Sequence, residues 1–234
     1  MVYTVKPIKT DREVENKRLV RVIIRIFLLY SLPSSSSSAL HKIIRRAVSN
    51  SVIRDMLKIV FKDRFFYQLY FQTPGVAEAE LEADVRTALR KFYHMASGQM
   101  DIGSMPDKPA DADLLSDLPD PEQLGAWMSD ADLDFYVSEF SRSGFRGPLN
   151  YYRNHNLTWE LTAGAPTQIQ QPALFVAGDR DGVITMAAQA LEAMPNYVTD
   201  LRVNALIPGV GHWTQQEAAE ATNEYLLDWL ASLD

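Results

Sequence analysis

Two carboxylates and a histidine, each delivered by the end of an apolar run, are the residues of this chain best suited to moving a proton. Ala173 to Ala177 are five apolar residues that read as a buried strand; Gly178 ends it, and Asp179 and Asp181 follow. Val203 to Ile207 reads as another strand and runs into Pro208-Gly209-Val210-Gly211, a turn that delivers His212, thirty-one positions after Asp181. In open α/β sheets the carboxyl ends of strands are where ligands and catalytic groups collect. An acid after one strand and a histidine after the next make half of an acid–base relay: the carboxylate fixes the imidazole tautomer and steadies its positive charge, and the imidazole moves the proton. On this pattern the acid is Asp179 or Asp181, and Asp179 could instead cap the helix that follows. His41, His94 and His155 have no comparable setting and read as surface or structural.

The elements that must hold these groups fall into two textures. From Phe61 to about 160 the chain reads as mainly helical, and from 172 it alternates strand and helix. Phe65-Phe66-Tyr67-Gln68-Leu69-Tyr70-Phe71-Gln72 is densely aromatic, and Pro74-Gly75 then turns the chain. Ala77, Leu81, Val85, Leu89 and Phe92 recur at helical spacing and predict one helix with acids and arginines on its other side. Residues 97–121 read as a long loop. Ser129 predicts an N-cap with Asp130 and Asp132 in the first turn, and Leu133, Tyr136, Val137 and Phe140 form the apolar stripe behind it. The later part reads as strand 173–177, helix 185–194, strand 202–207 and helix 215–232, the last burying Ala218, Ala221, Tyr225, Leu226, Trp229 and Leu230.

Length and composition bound the rest. With 234 residues, 47% of them hydrophobic, the chain can bury one sizeable α/β core. Its net charge of −7 is unevenly spread: the first fifty residues carry ten Lys and Arg against three acids, leaving −14 on the rest. The body therefore lacks the basic surface of a nucleic-acid binder. There is no cysteine, which excludes a disulfide framework, a thiol nucleophile and thiolate metal sites, and favours the cytoplasm. Residues 1–60 form an atypical basic, serine-rich leader expected to be poorly ordered. Its apolar stretch Val22–Leu32 is broken by Arg25 and falls short of the roughly 20 apolar residues a spanning helix needs, so no firm membrane anchor is expected. A signal or membrane-surface role for residues 17–32 stays open.

Four segments carry a family resemblance: YQLYFQTPGVAEAELEADV (67–85), SGFRGPLNYYRN (143–154), LFVAGDRDGV (174–183) and GHWTQQE (211–217). Residues 61–234 resemble the C-terminal part of an epoxide hydrolase of the α/β-hydrolase fold, of the soluble epoxide hydrolase type. The resemblance implies a partial α/β-hydrolase fold in which residues 61–160 are the helical cap, or lid, and residues 161–234 are the last parallel strands and helices of the core. It implies hydrolysis of a small apolar epoxide to a vicinal diol without metal or organic cofactor. In that family an Asp nucleophile forms an ester, two cap tyrosines hydrogen-bond the epoxide oxygen, and a His–Asp pair activates the hydrolytic water. The phenols stabilise charge where it develops on a poor leaving oxygen, and the base serves the water step. Tyr67 matches the first tyrosine. Tyr152 matches the second, Arg153 deciding against Tyr151. Asp181 matches the relay acid by family spacing and His212 the base.

The family's nucleophile elbow and His-Gly oxyanion segment have no counterpart in the sequence. Gln99-Met100-Asp101-Ile102-Gly103 is the nearest imitation of the elbow, and no strand precedes it. The resemblance therefore implies a truncated, impaired enzyme in which His212 could at best promote direct attack of water. The alternatives are a non-catalytic remnant that binds a small apolar ligand or a partner, and another α/β hydrolase such as a haloalkane dehalogenase. Parallel strands expect covered faces and inner neighbours, so an exposed apolar sheet edge, marginal stability and self-association through that edge are expected.

Overall fold

The computed structural model describes residues 52–100, 107–161, 166 and 168–233. Among the described residues seven helices come first: α1 (Val52–Val60), α2 (Tyr67–Tyr70), α3 (Val76–Ala83), α4 (Val85–Met95), α5 (Asp130–Ser143), α6 (Arg146–Arg153) and α7 (His155–Leu161). Strand β1 (Ala173–Gly178), helices α8 (Gly182–Met186) and α9 (Ala188–Ala193), strand β2 (Leu201–Ile207) and helices α10 (Thr214–Glu217) and α11 (Ala219–Ala231) complete the chain. The leader expectation changes in one respect: residues 52–60 are a helix packed on α7, while residues 1–51 lie outside the described residues. Among the described residues no helix is long and apolar enough to cross a membrane.

The single helix expected over 77–92 is two. Asp84 leaves helical geometry at φ −147° and ψ 90°, and its carboxylate accepts the Thr87 N–H at 3.1 Å, starting α4 afresh. The apolar stripe survives the break because Ala77, Leu81 and Leu89 all reach the same core. The α5 start is as predicted: Ser129 Oγ accepts the Asp132 N–H at 3.2 Å, and the Asp132 carboxylate accepts the Ser129 N–H at 3.0 Å. Gly144 ends α5 at φ +69°, a left-handed position that glycine takes without Cβ strain. Phe71, Leu81, Leu89, Leu133, Tyr136 and Leu149 fill the centre of this helical region. Glu80 ties the long connection to it, accepting the N–H groups of Leu114 and Leu115 and the Tyr70 hydroxyl. Between α6 and α3, Arg153 grips Glu78 with two nitrogens at 2.6 and 2.8 Å in a largely buried pair.

β1 and β2 pair in parallel, Leu174 opposite Val203 through Gly178 opposite Ile207, and Ile169 extends the pairing to Val198. A smaller apolar cluster of Ile169, Ala173, Ala187, Ala190, Met194 and Val198 covers one face. β2 alternates strictly, with Leu201, Val203, Ala205 and Ile207 inward and Arg202, Asn204 and Leu206 outward. The helix expected over 185–194 begins earlier, at Gly182, because Asp181 caps it, and breaks at Ala187. The largest departure is the last helix. α11 packs on both strands, yet none of its residues is buried, and Tyr225, Leu226, Leu227 and Leu230 are exposed. Two strands present too narrow a surface to cover its apolar stripe. Leu206, outward on β2, is also exposed.

Candidate active site

The acid–base pair forms because both side chains leave the carboxyl ends of adjacent parallel strands. Asp181 is buried, only 6% exposed, and divides its oxygens. Oδ1 accepts the Val183 N–H at 2.8 Å and caps α8; Oδ2 lies 2.9 Å from His212 Nδ1. One carboxylate thus holds a helix terminus and an imidazole. A bond at Nδ1 leaves Nε2 as the nitrogen that can take a proton, and the His212 side chain, 44% exposed, remains open to a substrate. The hydrogen bond to Asp181 raises the His212 pKa, burial opposes it, and the charges of Asp181 and Glu217 add to the rise.

Asp179, the other acid considered, serves the turn: its Oδ1 accepts the Gly209 N–H at 2.7 Å. The choice between the two acids is therefore decided by contacts, and the helix cap belongs to Asp181.

The His212 loop is clamped to the end of α4. The His212 N–H donates to Ala96 O at 2.8 Å, and Arg180 donates to Gly98 O at 2.9 Å. Glu217 accepts three backbone N–H groups with its two oxygens: Gly98 at 2.7 Å, Gly211 at 3.2 Å and Trp213 at 3.2 Å. The backbones meet at Gly98, Gly178 and Gly211. A Cβ on Gly211 would collide with the Gly98 nitrogen and the Ser97 carbonyl carbon, and one on Gly178 with the Val210 carbonyl. Trp213 closes the seam, donating from Nε1 to Tyr93 O at 2.8 Å and packing on the Tyr93 and Phe92 rings. Glu217 lay inside a recognised segment, but nothing in the one-dimensional pattern assigned it this reach of 119 positions.

Tyr67 and Tyr152 meet edge to face, ring centroids 5.7 Å apart. Tyr67 opens α2 and Tyr152 lies near the end of α6. Two side chains staple these helices. Gln72 Nε2 donates to Gln68 O at 2.8 Å and to Tyr152 O at 3.2 Å, and Arg153 Nε donates to Phe71 O at 2.7 Å. Burial raises the Tyr67 pKa, a hydrogen bond from Gln68 lowers it, and the Asp181 charge raises it. Tyr67 thus feels the charge of Asp181. Burial pushes Tyr152 up to about 12, with Tyr67 and Tyr151 adding to the rise. Both phenols are consequently neutral donors at physiological pH. Tyr151, the competing residue, is 58% exposed and meets the Tyr152 ring edge to face.

Of the three other histidines, His155 is half-buried against the Tyr151 and Tyr152 rings, which lowers its pKa by desolvation. His94 is half-buried on α4, and His41 lies outside the described residues, as does Asp101.

No family model matches the sequence. The chain is 38% identical over 179 residues to epoxide hydrolase A of Mycobacterium tuberculosis, covering 74% of this chain and 54% of that protein. It is 34% identical over 167 residues to bifunctional epoxide hydrolase 2 of Rattus norvegicus, covering 71% and 29%. Among solved structures, an epoxide hydrolase from an endophytic Streptomyces superposes with a TM-score of 0.73 at 40% identity, covering 77% of this chain and 56% of that one. Epoxide hydrolase A from Mycobacterium thermoresistibile superposes with a TM-score of 0.69 at 38% identity, covering 79% and 58%. The chain spans about half the length of epoxide hydrolases A and B of Mycobacterium tuberculosis, which it matches.

Proposed function

We propose, from the premise that this chain is homologous over about three-quarters of its length to epoxide hydrolases of the α/β-hydrolase family, that it carries the oxygen-binding and water-activating half of an epoxide-opening site. Its described part is a partial α/β-hydrolase fold, and residues 61–160 act as a cap over a core segment formed by residues 161–234. The observation that carries the reading is the Asp181–His212 bond at 2.9 Å in a chain that also pairs Tyr67 with Tyr152, ring centroids 5.7 Å apart. A haloalkane dehalogenase and a non-catalytic remnant are less favoured, since the relatives and structural neighbours that it matches are epoxide hydrolases.

The chemistry follows from the groups. Tyr67 and Tyr152 donate hydrogen bonds to the epoxide oxygen and stabilise the alkoxide as the ring opens. His212 Nε2 takes a proton from water, the water oxygen bonds to the epoxide carbon, and the C–O bond breaks. The alkoxide leaves as a hydroxyl by taking a tyrosine proton, and the imidazolium returns the proton through the same site. Asp181 holds the imidazole tautomer and stabilises its charged form. A covalent route would need a carboxylate nucleophile free to attack. Asp179 and Asp181 are both engaged, by the Gly209 and Val183 N–H groups and by His212. Direct attack by water is the route these residues support.

The substrate class is a small epoxide, as in the relatives that the chain matches. The exposed α11 stripe favours self-association, and the absence of cysteine favours the cytoplasm. Purified chain incubated with styrene oxide is expected to release the diol, and His212→Ala to abolish release. Folded native chain that forms no diol would overturn the catalytic part of this reading.

A further inference from the structure

Gln68 is the most deeply buried polar side chain near the tyrosines, 6% exposed. Its Nε2 donates to the Tyr67 hydroxyl at 2.9 Å. Its Oε1 is buried and has no hydrogen-bond partner among the described residues. An orphaned buried acceptor is costly, about 1–3 kcal/mol, so an amide held in this orientation calls for a reason. Tyr67's hydroxyl has one proton and two lone pairs. A neighbour that accepted that proton would consume it. A neighbour that donates, as Gln68 does, fills a lone pair and leaves the proton to point elsewhere. The ring of Tyr152 packs edge to face on that of Tyr67, centroids 5.7 Å apart.

We propose that Gln68 is a positioning residue for Tyr67: its amide N–H bonds the Tyr67 oxygen and leaves the hydroxyl proton free for the ligand shared with Tyr152. The proposal rests on the reading of Tyr67 as a donor to an epoxide oxygen, and deepens that reading by assigning the group that orients the donor. The backbone reinforces the arrangement, since Gln72 bridges Gln68 O and Tyr152 O and fixes the two tyrosine segments to each other.

The test is NMR of the full chain labelled with ¹³C at tyrosine Cζ, the Tyr67 and Tyr152 signals being assigned by Tyr67→Phe and Tyr152→Phe. The probes are styrene oxide and 1-phenylethane-1,2-diol. In native protein a Gln68 side-chain amide proton is expected to show a cross-peak to the Tyr67 ring and to shift in Tyr67→Phe. Gln68→Leu is expected to move the Tyr67 Cζ signal while leaving Tyr152 in place. Gln68→Glu, nearly the same size, puts an acceptor where the donor was, and is expected to remove the styrene oxide response of Tyr67 but not that of Tyr152. Either variant alone decides the matter should the other fail to fold, and the native cross-peak decides it if both do. An unmoved Tyr67 signal in both variants, or a native Gln68 amide with no contact to Tyr67, would overturn the assignment. If neither probe shifts either tyrosine in native protein while Gln68→Leu still moves Tyr67, the epoxide reading fails and the positioning role stands.

Discussion

The helical region and the strand-bearing region of this chain solve the same problem to different extents. Each has an apolar stripe to hide. In the helical region Phe71, Leu81, Leu89, Leu133 and Leu149 are at most 5% exposed, and the connecting loop is pinned by Glu80. In the strand region the buried cluster is small and alanine-rich, and α11 buries none of its residues. The contrast shows that amphipathic helices can cover one another locally. A parallel strand pair cannot: it has two faces and two edges, and one crossover supplies cover for only part of them. The acid–base pair nevertheless belongs to the less covered region, so its precision depends on the clamp to the helical one through Gly98, Gly211 and Glu217.

Four experiments break or sharpen this comparison. The widest gap is expected between core truncations. Phe71→Ala should cost about 3–5 kcal/mol, whereas Leu227→Ala, in the exposed stripe, should stay within about 0.5 kcal/mol. Urea unfolding monitored by circular dichroism checks both, and equal costs would erase the distinction between the regions. Next comes the seam. Gly211→Ala forces a methyl against the Gly98 backbone and should cost about 1–3 kcal/mol. Because the methyl acts at the His212 loop, diol formation should fall further than global stability does, which a comparison of initial rates and unfolding midpoints reveals.

The third experiment is pH dependence, and the two regions should respond with opposite sign. Arg153 holds Glu78 in the helical region down to a pKa of about 2, below its ordinary 4.5. A depressed carboxylate contributes stability fully present above its unfolded pKa and lost as pH falls through the folded one. The helical region should therefore weaken between about 4.5 and 2. Arg153→Met, which leaves Glu78 without its partner, should remove that acid-side dependence from the unfolding midpoint.

His212 in the other region has a raised pKa. Its stabilising charge is fully present below the unfolded value near 6.5 and disappears as pH rises through the folded value. In the proposed role as a base its activity would run the other way, rising over that same upper range as the imidazole loses its proton. Asp181→Asn should move the imidazole midpoint downward, as read from the His212 ring proton by NMR. A midpoint unchanged by that substitution would separate Asp181 from the base. The smallest effect is expected on association. Leu227→Lys should lower the self-associated fraction seen by analytical ultracentrifugation while leaving the unfolding midpoint nearly unchanged.

Much of this arrangement is legible in one dimension because it is local. Ser129 precedes an apolar stripe and caps α5 as its type demands. The apolar run 173–177 ends in Gly178 and leaves its acids at a strand terminus, and the turn after Ile207 delivers His212. Other features were misjudged for equally physical reasons. A stripe at helical spacing through Ala77 and Phe92 does not reveal that Asp84 interrupts it, since both halves face one core. The apolar stripe of α11 promises burial, but burial needs a partner surface, and a stripe carries no information about whether one is present.

Residue types and spacing determined by themselves that this chain carries a strand-end acid, a loop histidine and two tyrosine segments, and which family those segments resemble. Only the tertiary structure decided between Asp179 and Asp181 on contact grounds, brought Tyr67 within 5.7 Å of Tyr152, and turned Glu217 and Gln68 toward the groups they hold. The division has a physical basis. Backbone caps and strand ends are fixed by neighbours a few positions away. A carboxylate that bridges 119 positions, or an amide that chooses which way a phenol points, is fixed by what the folded chain leaves beside it.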